Sequence, residues 1–437
     1  MIFLYFIALT LFNSICMSRK KVVVTGMGVL CPIGIELTSY WTALVEGRSG
    51  ISYLNSCRTK LERRPIGAEV PEFRPKDFIR PKKNIKVMSR DIQMGVVSAS
   101  LACKNANLCL DSALRSVEPE RLGCIFGCDL IGTELDSIKD AFKIGVENGM
   151  YKFSTWGSAS MANIMPLWML KYLPNMVASH IAIALDARGP NNTPTLDRGS
   201  SLAAIMEGCR IIERGAADVI IAGGVGNKIT PSILARGGAY TLAPWTKSPE
   251  NYPRPFDSNR CGTCVGEGSA AFVLESEEFA LARGAKPLAT VLGYAECVCP
   301  TAKFGIQQDA VENSIRQTLK IADRLPEDIG HMNSNGIGVD DDSLEAKGIA
   351  RTLGEIPVFS AVGHFGNLGS GAGAVELVAS ILAINSGIIP ATKNCEEVAS
   401  DCPINVVHDK PHSLRNSTFI KVNHTNTGRS FAVLLEK

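Results

Sequence analysis

Ser200 and Ser201 open an apolar-periodic helix, and His364 and His424 lie far along the chain. A hydroxyl and an imidazole of this kind can serve as nucleophile and base in acyl transfer or hydrolysis if they come within about 3 Å of each other. Arg198 and Asp197 sit immediately before those serines. A guanidinium at the mouth of a helix faces the positive end of the helix dipole and cannot act as a nucleophile. If buried, it needs a carboxylate partner, and Asp197 is the nearest candidate in the chain. Other groups have plainer readings. Cys261-Gly262-Thr263-Cys264 has the spacing of a redox or metal pair, but no second pair at zinc-like spacing accompanies it, and buried thiols in a tight turn are expected. Cys297-Val298-Cys299 does not complete a set, and Asp340-Asp341-Asp342 reads as a solvated loop or helix cap. Gly26-Met27-Gly28 and Gly369-Ser370-Gly371 lack a Walker lysine or a full dinucleotide fingerprint, so no cofactor and no metal is implied.

The elements that would position these residues follow from hydrophobic periodicity. Strands are expected at 21–25, 122–126, 219–222, 270–274, 289–295, 419–422 and 431–435, and helices at 88–106, 161–173 (kinked at, or starting from, Pro166), 201–214, 307–322 and 372–385. Ser386-Gly387 should stop the last helix. Alternation of the two patterns indicates α/β layering. With 437 residues, 46% of them hydrophobic, the chain can bury a large core, as one big domain or two fused halves. A net charge of +2 without a basic stripe gives no pointer to nucleic acid. The 14 scattered cysteines lack the spacing of a disulfide scaffold, which suits a reducing cytoplasm. The glycosylation patterns at Asn416 and Asn423 need a secretory context to count. Residues 1–16 are almost wholly apolar with the basic Arg19-Lys20-Lys21 behind them, the reverse of a signal peptide's order. They read as an upstream start-codon assignment or an unstructured extension, with a membrane-tethered, acyl-binding scaffold as the alternative. The natural start then falls at Met17.

A set of landmarks runs in order from Met17 to Lys437: Val22-Val23-Val24-Thr25-Gly26-Met27-Gly28, Gly189-Pro190, Asp218 with Ala222-Gly223-Gly224, Arg254-Pro255-Phe256-Asp257, Val265-Gly266-Glu267-Gly268-Ser269-Ala270 and Gly373-Ala374-Val375-Glu376. In these the chain resembles the β-ketoacyl-acyl-carrier-protein synthases of the thiolase superfamily. The resemblance implies an α/β, thiolase-like five-layered αβαβα fold of two similar halves, divided here as 17–275 and 276–437, and a dimer.

The family's site uses a Cys nucleophile, two His and a Lys. On the resemblance, those positions are held here by Arg198, Asn335, Asn367 and Val362 respectively, while His424-Thr425-Asn426-Thr427-Gly428 replaces the Gly-rich gate. Asn can hydrogen-bond an oxyanion but cannot exchange a proton near neutral pH, and Val carries no charge. The resemblance therefore implies a non-condensing subunit, akin to the chain-length factors. Such a subunit pairs with an active ketosynthase as a heterodimer, or with itself, and meets an acyl carrier protein. Asp197, Glu345, Glu267, His364, His424 and Ser200 remain as pocket or pairing candidates. The expected geometry places Arg198 against Glu345 or Asp197, plugging the floor of the pocket.

Overall fold

A computed structural model describes residues 20–55, 64–110, 114–236, 240–300 and 305–437. The segment 1–16 lies outside the described residues. The first half contributes β1 (Val22–Leu30), α1 (Arg90–Asn105), β2 (Leu122–Gly127), α2 (Met176–Leu185), β3 (Asn191–Asn192), α3 (Ser200–Glu213), β4 (Val219–Asn227) and β5 (Val265–Ser276). The second contributes β6 (Ala289–Val298), α4 (Gln308–Ala322), β7 (His331–Asn333), α5 (Asp342–Leu353), β8 (Pro357–Phe359), α6 (Ala372–Ser386), β9 (Asn405–Val406), β10 (Thr418–His424) and β11 (Arg429–Glu436). The division suggested at 275/276 falls at the end of β5.

These strands join in the order β9-β8-β7-β10-β11-β6-β1-β5-β4-β2-β3. In the first half β3, β2 and β4 run parallel, and the β4–β5 and β5–β1 pairs are antiparallel. The second half repeats this with β8, β7 and β10 parallel and the β10–β11 and β11–β6 pairs antiparallel. The antiparallel β1–β6 pair joins them. The halves are similar in connection as well, since α1 follows β1 as α4 follows β6, and α3 follows β3 as α6 follows β8.

Five layers result. Helices α1 and α2 cover the strands of the first half, α4 covers β6 and β11 of the second with α5 packed on it, and α3 and α6 pack against each other on the opposite side of the strands of both halves. The middle layer carries the largest apolar core, including Ile205, Met206, Phe272, Val375, Val378 and Phe431, all at most 1% exposed. Helix α6 is buried on nearly every face and can be apolar all round for that reason. It ends at Gly387, whose φ of +78° and N–H bond to Ala383 O close the last turn as expected.

One expected helix does not form. Residues 161–173 hold only short 3₁₀ turns, Met161–Asn163 and Trp168–Tyr172. Pro166 lacks an N–H and biases Met165 away from helical angles, so the apolar period there cannot propagate. Conversely β1, β4 and β5 run longer than expected, because their glycines pack against neighbouring backbone. A Cβ on Gly28 would lie 2.1 Å from Ser98 O, and one on Gly223 would lie 2.1 Å from Ala270 O.

Candidate functional site

The equivalent helices of the two halves, α3 and α6, present their N-termini to one place. Arg198 lies in the 3₁₀ turn just before α3, and Asn367 lies just before the Gly369–Gly371 turn that enters α6. The first turn is tight. Asp197 has a φ of +46°, and a Cβ on Gly199 would come within 2.3 Å of the Phe431 ring. Ser201 Oγ accepts from Ala374 N at 3.0 Å and ties the two helix starts together.

Arg198 is wholly buried and points inward. Its Nε donates to Asn335 Oδ1 at 2.9 Å, Nη1 to Asn367 Oδ1 at 2.9 Å, and Nη2 to Glu376 Oε1 at 2.9 Å and Asn335 O at 3.2 Å. The carboxylate partner is therefore Glu376. The expected pairing with Glu345 or Asp197 does not occur. Glu345 Oε1 instead accepts the Asn335 N–H at 2.7 Å and stands 3.3 Å from His424 Nε2. Asp197 turns the other way, accepting from Tyr240 Oη at 2.8 Å and lying 3.3 Å from Lys228 Nζ. Adjacent residues in a sharp turn project to opposite sides, and Glu376, in the first turns of α6, stands across the junction of the two helix starts.

Glu376 has a second cation. Lys421 Nζ, buried in β10, lies 2.7 Å from Glu376 Oε2, which also accepts from Asn423 Nδ2 at 3.0 Å. Burial by itself would push the Glu376 carboxyl up, but the Lys421 and Arg198 cations outweigh it and hold the group below the usual carboxylate range. Two cations, Arg198 and Lys421, thus share the buried interior with two carboxylates, Glu376 and Glu345. Sequence reasoning missed Lys421 and Asn423 and named Glu376 only as a packing landmark. The signal was present, because a charge inside an otherwise apolar strand or helix must be paired when that element is buried.

The remaining candidates separate from this centre. Val362 packs with Ile337, Val339 and Tyr240 in a small apolar cluster. His364 is buried with Nδ1 2.9 Å from Arg48 O and Nε2 3.3 Å from Ala391 O, and its burial lowers the imidazole to about 4. As a neutral ring it can donate to only one of these two carbonyls. His424 Nδ1 faces Ser430 Oγ at 3.0 Å. Ser200 Oγ is engaged by Leu196 N and Asp197 O. Neither Ser200 nor Ser201 makes a hydrogen bond to His364 or His424, so the proposed Ser–His pairs do not form. Glu267 belongs elsewhere, bound by the Nε and Nη2 of Arg90 at 2.7 and 2.6 Å.

Other expectations also change. In the Asp340–Asp342 run, Asp340 is exposed and Asp341 stands at the N-cap of α5 as expected, whereas Asp342 is buried. It accepts the backbone N–H groups of Phe256, Ile337 and Gly338, and burial raises its carboxyl to about 6. Of the Cys261/Cys264 pair, Cys264 is buried and Cys261 is exposed. Asn423 is fully buried, which leaves no room for a glycan on the folded chain.

On the outer side of the turn lies a pocket of about 360 Å³. Asp197, Lys228, Tyr240 and Asn367 form its polar part, and Leu130, Leu234 and Val265 are among its apolar walls. Arg198 is not among its lining residues. The guanidinium lies beneath the floor, in a separate polar layer.

Residues 19–280 match the β-ketoacyl synthase N-terminal domain and residues 295–396 its C-terminal domain. The chain belongs to the β-ketoacyl synthase family. It is 30% identical over 407 residues to 3-oxoacyl-[acyl-carrier-protein] synthase 2 of Synechocystis, covering 91% of this chain and 93% of that protein. It is 29% identical over 428 residues to the tetracenomycin polyketide synthase ketoacyl synthase alpha subunit of Streptomyces glaucescens, covering 96% and 98%. Among solved structures, a β-ketoacyl synthase from Burkholderia phymatum superposes with a TM-score of 0.85 at 24% identity, over 96% of this chain and 99% of that one. The ishigamide ketosynthase/chain length factor superposes at 0.83 with 25% identity, over 96% and 100%. The fold is thus the thiolase-like ketosynthase fold.

Proposed function

We propose that this chain is a catalytically degenerate ketosynthase-like subunit that pairs with an active ketosynthase and shapes the acyl-chain tunnel in fatty acid or polyketide-type biosynthesis. The observation that carries the reading is the buried guanidinium of Arg198 at the position the family resemblance assigns to the nucleophile. All three of its nitrogens are engaged by Asn335, Asn367 and Glu376. No thiolate can form there, and neither asparagine can exchange protons as an imidazole does.

The need for a partner is supported by the surface. Residues 130–173 carry many exposed large apolar side chains, among them Met150 at 72% and Phe153 at 81% exposure. Apolar surface concentrated in this way marks an interaction site. The ketosynthase/chain length factor pair named among the structural relatives gives a precedent for such an assembly.

The isolated protein is expected neither to condense acyl donors with malonyl carrier protein nor to gain mass as a covalent acyl adduct. Arg198→Cys alone should not restore condensation, since Asn335, Asn367 and Val362 remain. Stable acylation of any Ser or Cys, or turnover by that single variant, would refute the reading. Co-expression with ketosynthases from the same genome, followed by mass measurement of the complex, tests the pairing. A chain that forms only homodimers would contradict it.

A further inference from the structure

Methionine divides between the inside and the outside of this chain by region. Met150, Met161, Met165 and Met169 are 72%, 54%, 42% and 55% exposed. Met27, Met88, Met94, Met206 and Met332 are at most 4% exposed. Among the described residues, every exposed methionine falls within residues 150–169. Residues 130–173 contain no cysteine, so thioethers are the oxidisable sulfur of this surface. The segment that carries them is built from the hairpin of Val146–Glu147 with Met150–Tyr151 and from short turns at Met161–Asn163 and Trp168–Tyr172. Ring pairs such as Phe142 with Tyr151 and with Trp156, at 5.3 and 5.2 Å, pack the segment on itself. The four methionines stay outside, where solutes reach them.

Exposure and chemistry together single out these side chains. A thioether is a soft, apolar group that adapts its shape to whatever covers it. A two-electron oxidant turns it into a sulfoxide, which is polar and chiral. A sulfoxide oxygen covered by a partner without a hydrogen-bond donor costs free energy, as any buried polar group does. The remaining buried methionines are enclosed in the apolar clusters of the core, which keep solutes away from their sulfurs.

We propose that Met150, Met161, Met165 and Met169 form a modification site for peroxides, and that their conversion to sulfoxides releases the partner from this surface. In the step, a lone pair on the methionine sulfur attacks one peroxide oxygen. The S–O bond forms, the O–O bond breaks, and the second oxygen leaves with the proton as water from hydrogen peroxide, or as an alcohol from an alkyl hydroperoxide. Sulfur loses two electrons and the peroxide gains them. The release rests on the pairing with a ketosynthase proposed above, whereas the modification does not.

The test treats the full chain with hydrogen peroxide and follows each methionine by peptide mass spectrometry. The four exposed residues should each gain about 16 Da, at least about tenfold faster than Met94, Met206 or Met332. The oxidised chain should elute earlier from a hydrophobic-interaction column, a readout that needs no partner. In sedimentation experiments it should bind a co-expressed ketosynthase at least about tenfold more weakly, and methionine sulfoxide reductase with dithiothreitol should restore the affinity. Dithiothreitol alone reverses disulfides and sulfenic acids, so it should not restore it, which separates the effect from the exposed thiol of Cys261. A variant carrying Met150→Leu, Met161→Leu, Met165→Leu and Met169→Leu has no thioether at the surface, and peroxide should leave its affinity where it was before treatment. Equal oxidation rates at buried and exposed methionines, an unchanged elution after oxidation, or a peroxide response that survives in the leucine variant would each overturn the proposal. Unchanged affinity of the oxidised chain refutes the release alone. Failure of the untreated chain to pair with any ketosynthase refutes the pairing and the release with it, and mass and elution then decide the modification.

Discussion

The centre around Arg198 and the segment 130–173 are opposite solutions to the same problem. At Arg198 charged groups are sunk in the protein interior, and each nitrogen of the guanidinium makes a hydrogen bond. In 130–173 apolar side chains such as Met150 and Phe153 stand in the open. The first region is closed within the chain, because its partners come from both halves: Arg198 from the first, Asn335, Asn367, Glu376 and Lys421 from the second. The second region has too little local structure to cover itself, with Pro166 interrupting its helical pattern. In the proposed pairing, a partner subunit covers these side chains.

The comparison breaks most sharply at Glu376. Glu376→Ala should cost about 3–5 kcal/mol in a denaturant melt, because it strands two buried cations. Arg198→Ala should cost less than Glu376→Ala, about 2–4 kcal/mol, since Lys421 still neutralises Glu376. If Arg198→Ala melted at the wild-type temperature, the centre would not be the closed unit described.

A smaller effect concerns pH. His364 is held neutral, with its folded value at about 4, below the ordinary 6.5. A depressed imidazole contributes stability that is present above 6.5 and lost as pH falls toward 4, because the unfolded chain takes up the proton first. His364→Gln should therefore make the stability profile between pH 6.5 and 4 less steep, by at most about 1.4 kcal/mol per pH unit. Parallel profiles for the two proteins would show that His364 does not titrate in this way.

The smallest stability effect belongs to the open region. Met150→Ser and Phe153→Ser should change the melting of the isolated chain by less than about 0.5 kcal/mol, as exposed sites do. The same changes should weaken association with a ketosynthase partner by at least about tenfold in sedimentation experiments. A large loss of monomer stability with unchanged association would place these side chains in a core.

The sequence by itself determined most of the fold. Strands at 122–126, 219–222, 419–422 and 431–435 and helices at 201–214, 307–322 and 372–385 were legible because period and burial agree within each element. Arg198, Asn335, Asn367 and Val362 could be singled out from the order of the landmarks. The partner of Arg198 could not. Chain proximity suggested Asp197 and family resemblance suggested Glu345, yet the turn at Asp197, with its φ of +46°, sends adjacent side chains to opposite sides. The packing of α3 against α6 then brings Glu376, 178 residues away, to 2.9 Å. Tertiary structure also decided that Lys421 joins the same network, that Asp342 is a buried anchor, and that 161–173 is not a helix. Periodicity records which face of an element is buried, whereas which buried polar groups meet depends on how elements from distant parts of the chain are laid against one another.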